Sequence, residues 1–124
     1  MSIKILVVDD DPKITVLLYR FLIKEGFEVL TATDGEEALR IAQDNDIDLI
    51  VLDISMPGMD GSDVMARMMM DVRMQNIPVV ILTGLVSQEE CDTYNEKYPG
   101  RRVISKSLDI TEQVNIIKET LEVY

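Results

Sequence analysis

Five short apolar runs punctuate the chain: Ile3 to Val8, Glu28 to Thr31, Leu49 to Leu52, Val79 to Leu82 and Val103 to Ile104. Each is about strand length. Four are apolar at nearly every position instead of alternating, the habit of parallel strands covered on both faces. The segments between them have helical spacing. The first has Asp11 as N-cap, Pro12 in its first turn, the stripe Ile14, Leu17, Leu18, Phe21 and Leu22, and Gly26 as its stop. The second opens with Asp34 three before Glu37 and presents Ala38, Leu39, Ile41 and Ala42 to a core. The third is expected from about Ser62 to Gln75. The fourth begins at Ser87, with Cys91, Tyr94 and Tyr98 as its only clear apolar positions. The fifth begins at Asp109 and buries Val114, Ile117 and Leu121.

Strict alternation of strand and helix predicts an α/β doubly wound parallel sheet, because parallel neighbours need helical crossovers and these are right-handed. Neither a repeat nor a linker interrupts it. The 124 residues therefore read as one domain, 1–124, with no room after the fifth helix for an output domain.

Charge and composition narrow the possible partners. Twelve basic against 23 acidic residues give a net charge of −11, which repels phosphate backbones and anionic membrane surfaces. Direct nucleic-acid binding and membrane association are not expected. One cysteine and no histidine exclude an internal disulfide and a zinc site, and suit a reducing cytoplasm. The run Ile3 to Val8 contains Lys4 and is far too short for a membrane span.

The candidate chemistry lies just past the apolar runs. Asp9, Asp10 and Asp11 follow the first, Asp53 the third, Thr83 the fourth, and Ser105 and Lys106 the fifth. In an open parallel sheet these ends share one edge, and ligands bind where the strand order reverses. With the order 2-1-3-4-5, strands 1 and 3 are neighbours at that point and Asp10 and Asp53 stand side by side. Carboxylates about 4 Å apart repel by roughly 1 to 4 kcal/mol at effective dielectrics between 80 and 20. Either a raised pKa or a cation must offset this. An all-oxygen donor set favours a hard ion, and two carboxylates with room for waters and phosphate oxygens suit Mg²⁺. Lys106 adds a fixed positive charge. The constellation reads as an anion-transfer site in which Asp53 attacks phosphorus to form an acyl phosphate, with Thr83 donating to the new group.

Plainer roles account for other residues. Asp11, Asp34 and Asp109 read as helix caps. Asp60, within Gly58-Met59-Asp60-Gly61, reads as a turn residue. Met65, Met68, Met69 and Val72 read as core, whereas Met70 and Met74 are candidates for an exposed partner surface. Cys91 reads as a half-buried thiol.

The segments Val7-Val8-Asp9-Asp10-Asp11-Pro12, Leu52-Asp53-Ile54-Ser55-Met56-Pro57-Gly58-Met59-Asp60-Gly61, Leu82-Thr83-Gly84 and Ser105-Lys106 resemble the receiver domain of two-component response regulators over the whole chain. The resemblance implies a flavodoxin-like three-layer sandwich and a phosphoacceptor role for Asp53. It also implies Mg²⁺ held by Asp10, Asp53 and the Ser55 carbonyl, with Asp9 completing the acidic pocket. By the same resemblance Thr83 responds to phosphorylation and Lys106 binds the phosphoryl group. The donor implied is the phosphohistidine of a sensor histidine kinase or of a histidine phosphotransfer protein, and the output is an unidentified downstream protein. Three positions depart from the family's pattern: Val103 replaces an aromatic, Ser107 a proline reached through a cis bond, and Gly84 an alanine. Phosphoryl chemistry does not use those side chains, but the switch toward the fourth helix and fifth strand does. That face, with Arg101 and Arg102 as local positive charge, is expected to be the mobile part. Three alternatives stay open: a phosphorylation-independent interaction module, a phosphohydrolase with a carboxylate nucleophile, and a receiver cut from a longer regulator.

Overall fold

A computed structural model describes residues 2–97 and 102–123. Strands β1 (Lys4–Val8), β2 (Glu28–Ala32), β3 (Leu49–Asp53), β4 (Val79–Thr83) and β5 (Arg102–Ser105) alternate with helices α1 (Pro12–Lys24), α2 (Gly35–Asp44), α3 (Gly61–Met69), α4 (Gln88–Lys97) and α5 (Ile110–Val123). All four strand pairings are parallel, in the order β2-β1-β3-β4-β5. The alternation and the switch point between β1 and β3 are those expected from the sequence.

The near-continuous apolar strands are explained by the two faces they serve. Ile5, Val7, Leu49, Val51 and Leu82 point to one side, where α1 contributes Leu18 and Leu22 and α5 contributes Val114 and Ile117. Leu6, Val8, Ile50 and Leu52 point to the other, against Ala38, Leu39 and Ala42 of α2 and Val64 and Met68 of α3. With side chains alternating along each strand, both faces are buried only if every position is apolar. A smaller cluster of Ile81, Cys91 and Val103 lies beneath α4.

Several expectations are corrected here. Helix α3 ends at Met69, six residues short of the expected Gln75, because Asp71 starts a new turn: its side chain accepts from Arg73 N at 2.8 Å and its carbonyl from Met74 N and Gln75 N. This change of direction exposes Val72 (81%), expected in the core, and buries Met74 (2%), expected outside, while Met69 (63%), also expected in the core, lies off the buried face of α3 that Gly61, Val64 and Met68 mark. Leu17 is exposed, and Cys91 is fully buried instead of half-buried. Asp60 is the N-cap of α3: it accepts from Asp63 N while Asp63 accepts from Asp60 N, a reciprocal box with Asp in the place usual for Glu. Asp11, Asp34 and Asp109 accept from backbone N–H groups of their own first turns, as capping requires. Tyr98, Pro99, Gly100 and Arg101 lie outside the described residues.

Candidate functional site

Strands β3, β4 and β5 reach one residue further than their apolar runs, so Asp53, Thr83 and Ser105 are terminal strand residues. Val8 pairs with Leu52, and one step further along that register Asp9, not Asp10, stands level with Asp53. Asp10 follows on the exposed side of the crevice. Carboxylate oxygens of all three nevertheless lie within 4.8 Å of one another. The loop leaving Asp53 is shaped by two glycines. Gly58 has φ 75°, the left-handed region that favours glycine. At Gly61 a Cβ would lie 2.7 Å from both the Asp53 carbonyl oxygen and Ile54 Cα, so only glycine lets α3 begin this close to the end of β3.

Each buried acid is held by one oxygen and leaves the other in the crevice. Asp9 Oδ1 accepts from Asp11 N at 2.9 Å, and Asp53 Oδ1 accepts from Ser55 N at 3.1 Å. Their Oδ2 atoms are buried, and both pair with the ammonium of Lys106, at 2.8 Å for Asp9 and 3.2 Å for Asp53. One lysine thus bridges two buried acids, 0% and 1% exposed. Burial pushes the Asp53 pKa above its ordinary value, Ser55 N–H opposes this, the Asp9 charge adds to it, and Lys106 opposes it. Burial alone would lower the Lys106 pKa, but Asp9 and Asp53 outweigh it and hold the ammonium above its ordinary range. The same two Oδ2 atoms, with Asp10 beside them and no nitrogen or sulfur donor in the cluster, fit a hard divalent cation. Ser55 is exposed and lies two residues past Asp53, the end of β3.

Thr83 is buried, its Oγ1 accepting from Leu85 N at 3.2 Å while its own hydroxyl proton remains available to a ligand. Its carbonyl accepts from Lys106 N at 2.8 Å, which fixes the lysine at the end of β5. Gln113 of α5 holds the following turn, donating to Leu108 O at 2.8 Å and to Lys106 O at 3.4 Å.

The outer edge of β5 is where sequence reasoning missed residues. Asn95 donates to Val103 O at 3.0 Å and accepts from Val103 N at 2.8 Å, while Gln88 accepts from Ser105 N at 2.9 Å. Gln88, Cys91 and Asn95 are spaced i, i+3, i+7, so the inner face of α4 consists of two amides and a thiol. Counting apolar positions passes over such a face; the helical spacing of side chains able to pair with an edge strand was the available signal. Ser105 Oγ donates to Val86 O at 2.8 Å and accepts from Ser107 N at 3.2 Å, and Ser107 Oγ lies 2.7 Å away. Ser107 thus uses a backbone N–H that proline lacks, and among the described residues no peptide bond is cis. At Gly84 a Cβ would meet only Lys106 Cδ at 3.7 Å, an ordinary contact, so nothing in the packing requires glycine there. Arg102 approaches Glu119 at 3.8 Å.

The response regulator receiver domain matches residues 5–118 of this chain. The alkaline phosphatase synthesis transcriptional regulatory protein PhoP of Bacillus subtilis is 44% identical over 92 residues, 74% of this chain and 37% of that protein. The transcriptional regulatory protein PrrA of Mycobacterium tuberculosis is 48% identical over 90 residues, 72% of this chain and again 37% of that protein. The matched part therefore spans little more than a third of these relatives. Among solved structures, the chemotaxis response regulator CheY4 of Vibrio cholerae superposes with a TM-score of 0.82 at 28% identity, covering 97% of this chain and 99% of that one. No helix among the described residues is long and apolar enough to cross a membrane.

Proposed function

Since this chain belongs to the response regulator receiver domain family, we propose that it accepts a phosphoryl group on Asp53 and signals by binding another protein. A sensor histidine kinase or a histidine phosphotransfer protein is the donor. The observation that carries this reading is the pose of Asp53: a carboxylate with Oδ1 tied to Ser55 N and Oδ2 turned into the crevice, where it pairs with the Lys106 ammonium. In the transfer an Asp53 oxygen forms a bond to phosphorus as the phosphorus–nitrogen bond of the phosphohistidine breaks, the electron pair leaving with the imidazole. Lys106, whose stem lets it follow a phosphoryl oxygen, turns from its carboxylate partners to the new anion. Thr83 donates its hydroxyl proton to another phosphoryl oxygen. Asp9, Asp10, Asp53 and the Ser55 carbonyl would hold Mg²⁺, which when bound neutralises charge on the phosphoryl oxygens and on the crowded acids.

Incubation with a small acyl-phosphate donor and Mg²⁺ should add the mass of one phosphoryl group, which EDTA or Asp53→Asn should abolish. Wild-type labelling of the Asp53→Asn protein would move the acceptor to another carboxylate. No labelling of the unsubstituted protein would favour an interaction module that keeps the acids for other reasons.

A further inference from the structure

Helix α4 packs Cys91 into the small cluster that Ile54 and Met65 border. Toward β5 it is held by Gln88 and Asn95. Toward α3 it leaves a cavity of about 380 Å³, walled by Ile54, Met65, Ile81, Cys91 and Val103, with Thr83 also in its lining and Ser62, Glu90 and Tyr94 at its edge. This volume lies within the usual range of binding sites, whose walls are mostly apolar with a few polar groups at fixed places. Val103 is part of the reason for the space, since it puts a short β-branched side chain against the underside of α4.

The surroundings specify the occupant. Met69 lies one turn beyond Met65 on the same face of α3 and is 63% exposed, and Tyr94 is 37% exposed. An adaptable thioether and an amphipathic ring thus continue the apolar floor outward, and both residue types are enriched where proteins meet. The charge at the pocket is a single acid. Glu90 of α4 stands at the edge of the pocket, Glu89, Asp92 and Glu96 fall on the opposite flank of that helix, and Ser62, Met65, Ala66 and Met69 on the facing side of α3 carry no charge. The single basic residue of α3, Arg67, faces the groove toward α2. Burial, Asp92 and Glu90 push the Cys91 thiol up, which makes it a soft wall and not a nucleophile.

We propose that the cavity between α3 and α4 is a docking pocket for an aromatic or long aliphatic side chain presented by a basic segment of a partner protein. The anchor fills the apolar cavity, and flanking lysines or arginines meet Glu90 at its edge within the field of a chain of net charge −11. The site is separate from the acids at the strand ends. It can be tested on unphosphorylated protein, so it stands or falls independently of Asp53.

This chain contains no tryptophan, so the emission of a probe tryptophan reports binding without interference. The probe is a capped hexapeptide with one tryptophan among lysines. It should bind saturably with a blue shift, and perturb the amides of Ser62, Met65, Cys91 and Tyr94. Replacing its tryptophan by alanine, or its lysines by glutamates, should weaken binding at least tenfold. Ser62→Phe, an exposed position that closes the mouth, should do the same without changing the melting midpoint, and Glu90→Lys should weaken binding severalfold. The proposal is overturned by absence of saturation at millimolar probe, by equal binding of the glutamate peptide, or by indifference to Ser62→Phe. Free indole binding as tightly as the peptide would overturn it in favour of a small-molecule site. Self-association in sedimentation that Ser62→Phe abolishes would overturn it in favour of a second copy of this chain.

Discussion

Helices α2 and α4 have the same length, ten residues, and both lie against the sheet, yet they are attached by different physics. Helix α2 buries Ala38, Leu39 and Ala42 against Leu6, Val8 and Ile50, a central region of the sheet that is apolar on both faces. Helix α4 covers β5 at the edge, where Val103 and Ser105 offer backbone groups that no neighbouring strand takes up. Its contribution is two amide side chains around one buried thiol. The first attachment excludes water and is indifferent to register by one hydrogen bond. The second is directional: it holds α4 at one position along β5, and it can open by exchanging its bonds for water at little net cost. The contrast predicts that β1, β3 and α2 form the more rigid half, and that β5 and α4 open first.

The largest effect that tests this contrast is in α2. Leu39→Ala should cost about 2–3 kcal/mol, at the low end for a core leucine because Leu39 retains 9% exposure, and should lower the melting midpoint for the whole domain. A loss confined to hydrogen exchange of α2 would show that the two halves are not distinguished in this way. Asn95→Ala should cost about 1–2 kcal/mol by freeing one donor and one acceptor on Val103. Its signature is local, with faster exchange of the α4 amides while β1 and β3 keep their protection. Asn95→Leu sharpens the comparison, because it adds apolar surface as it removes both bonds. If it stabilises the protein, apolar packing and not the amide holds α4.

The same contrast explains what was legible in the sequence. Apolar continuity in Ile5 to Val8 and Leu49 to Leu52 leads directly to a doubly covered parallel sheet, and the sheet edge brings Asp9, Asp10, Asp53 and Lys106 together. Those steps depend on period and on a topological rule, both carried by residue order. The exact partner of Asp53 is less accessible, since it depends on the register of β1 and β3, in which Val8 pairs with Leu52 and so sets Asp9 level with Asp53. The methionines are hard to place for two reasons: Met69 lies just off the face of α3 that Val64 and Met68 bury, and Asp71 redirects the backbone so that Met74 enters the core. Asn95 and Gln88 were missed because hydrophobicity does not register side chains whose partners are backbone atoms far along the chain.

The smallest effect concerns the rigid half and follows from the crowding at Asp53. Its pKa is raised in the folded protein, first by burial, so the folded state binds that proton more tightly than the unfolded chain, where the value is 3.8. Between 3.8 and the folded-state value, the native state therefore carries more protons than the unfolded one, and stability falls as pH rises. Above that window the loss is complete and constant. Asp53→Asn removes the ionisation, so in EDTA its melting midpoint should lie a few degrees above wild type at neutral pH, with the two curves converging below about pH 3.8. Millimolar Mg²⁺ should close much of the neutral-pH gap by raising wild type more than the variant, since a cation among the acids stabilises only the folded state. A variant less stable than wild type in EDTA would mean that the Lys106 bridge outweighs burial at Asp53. The acid cluster would then be held together by its own ion pairs and would not need a metal to relieve it.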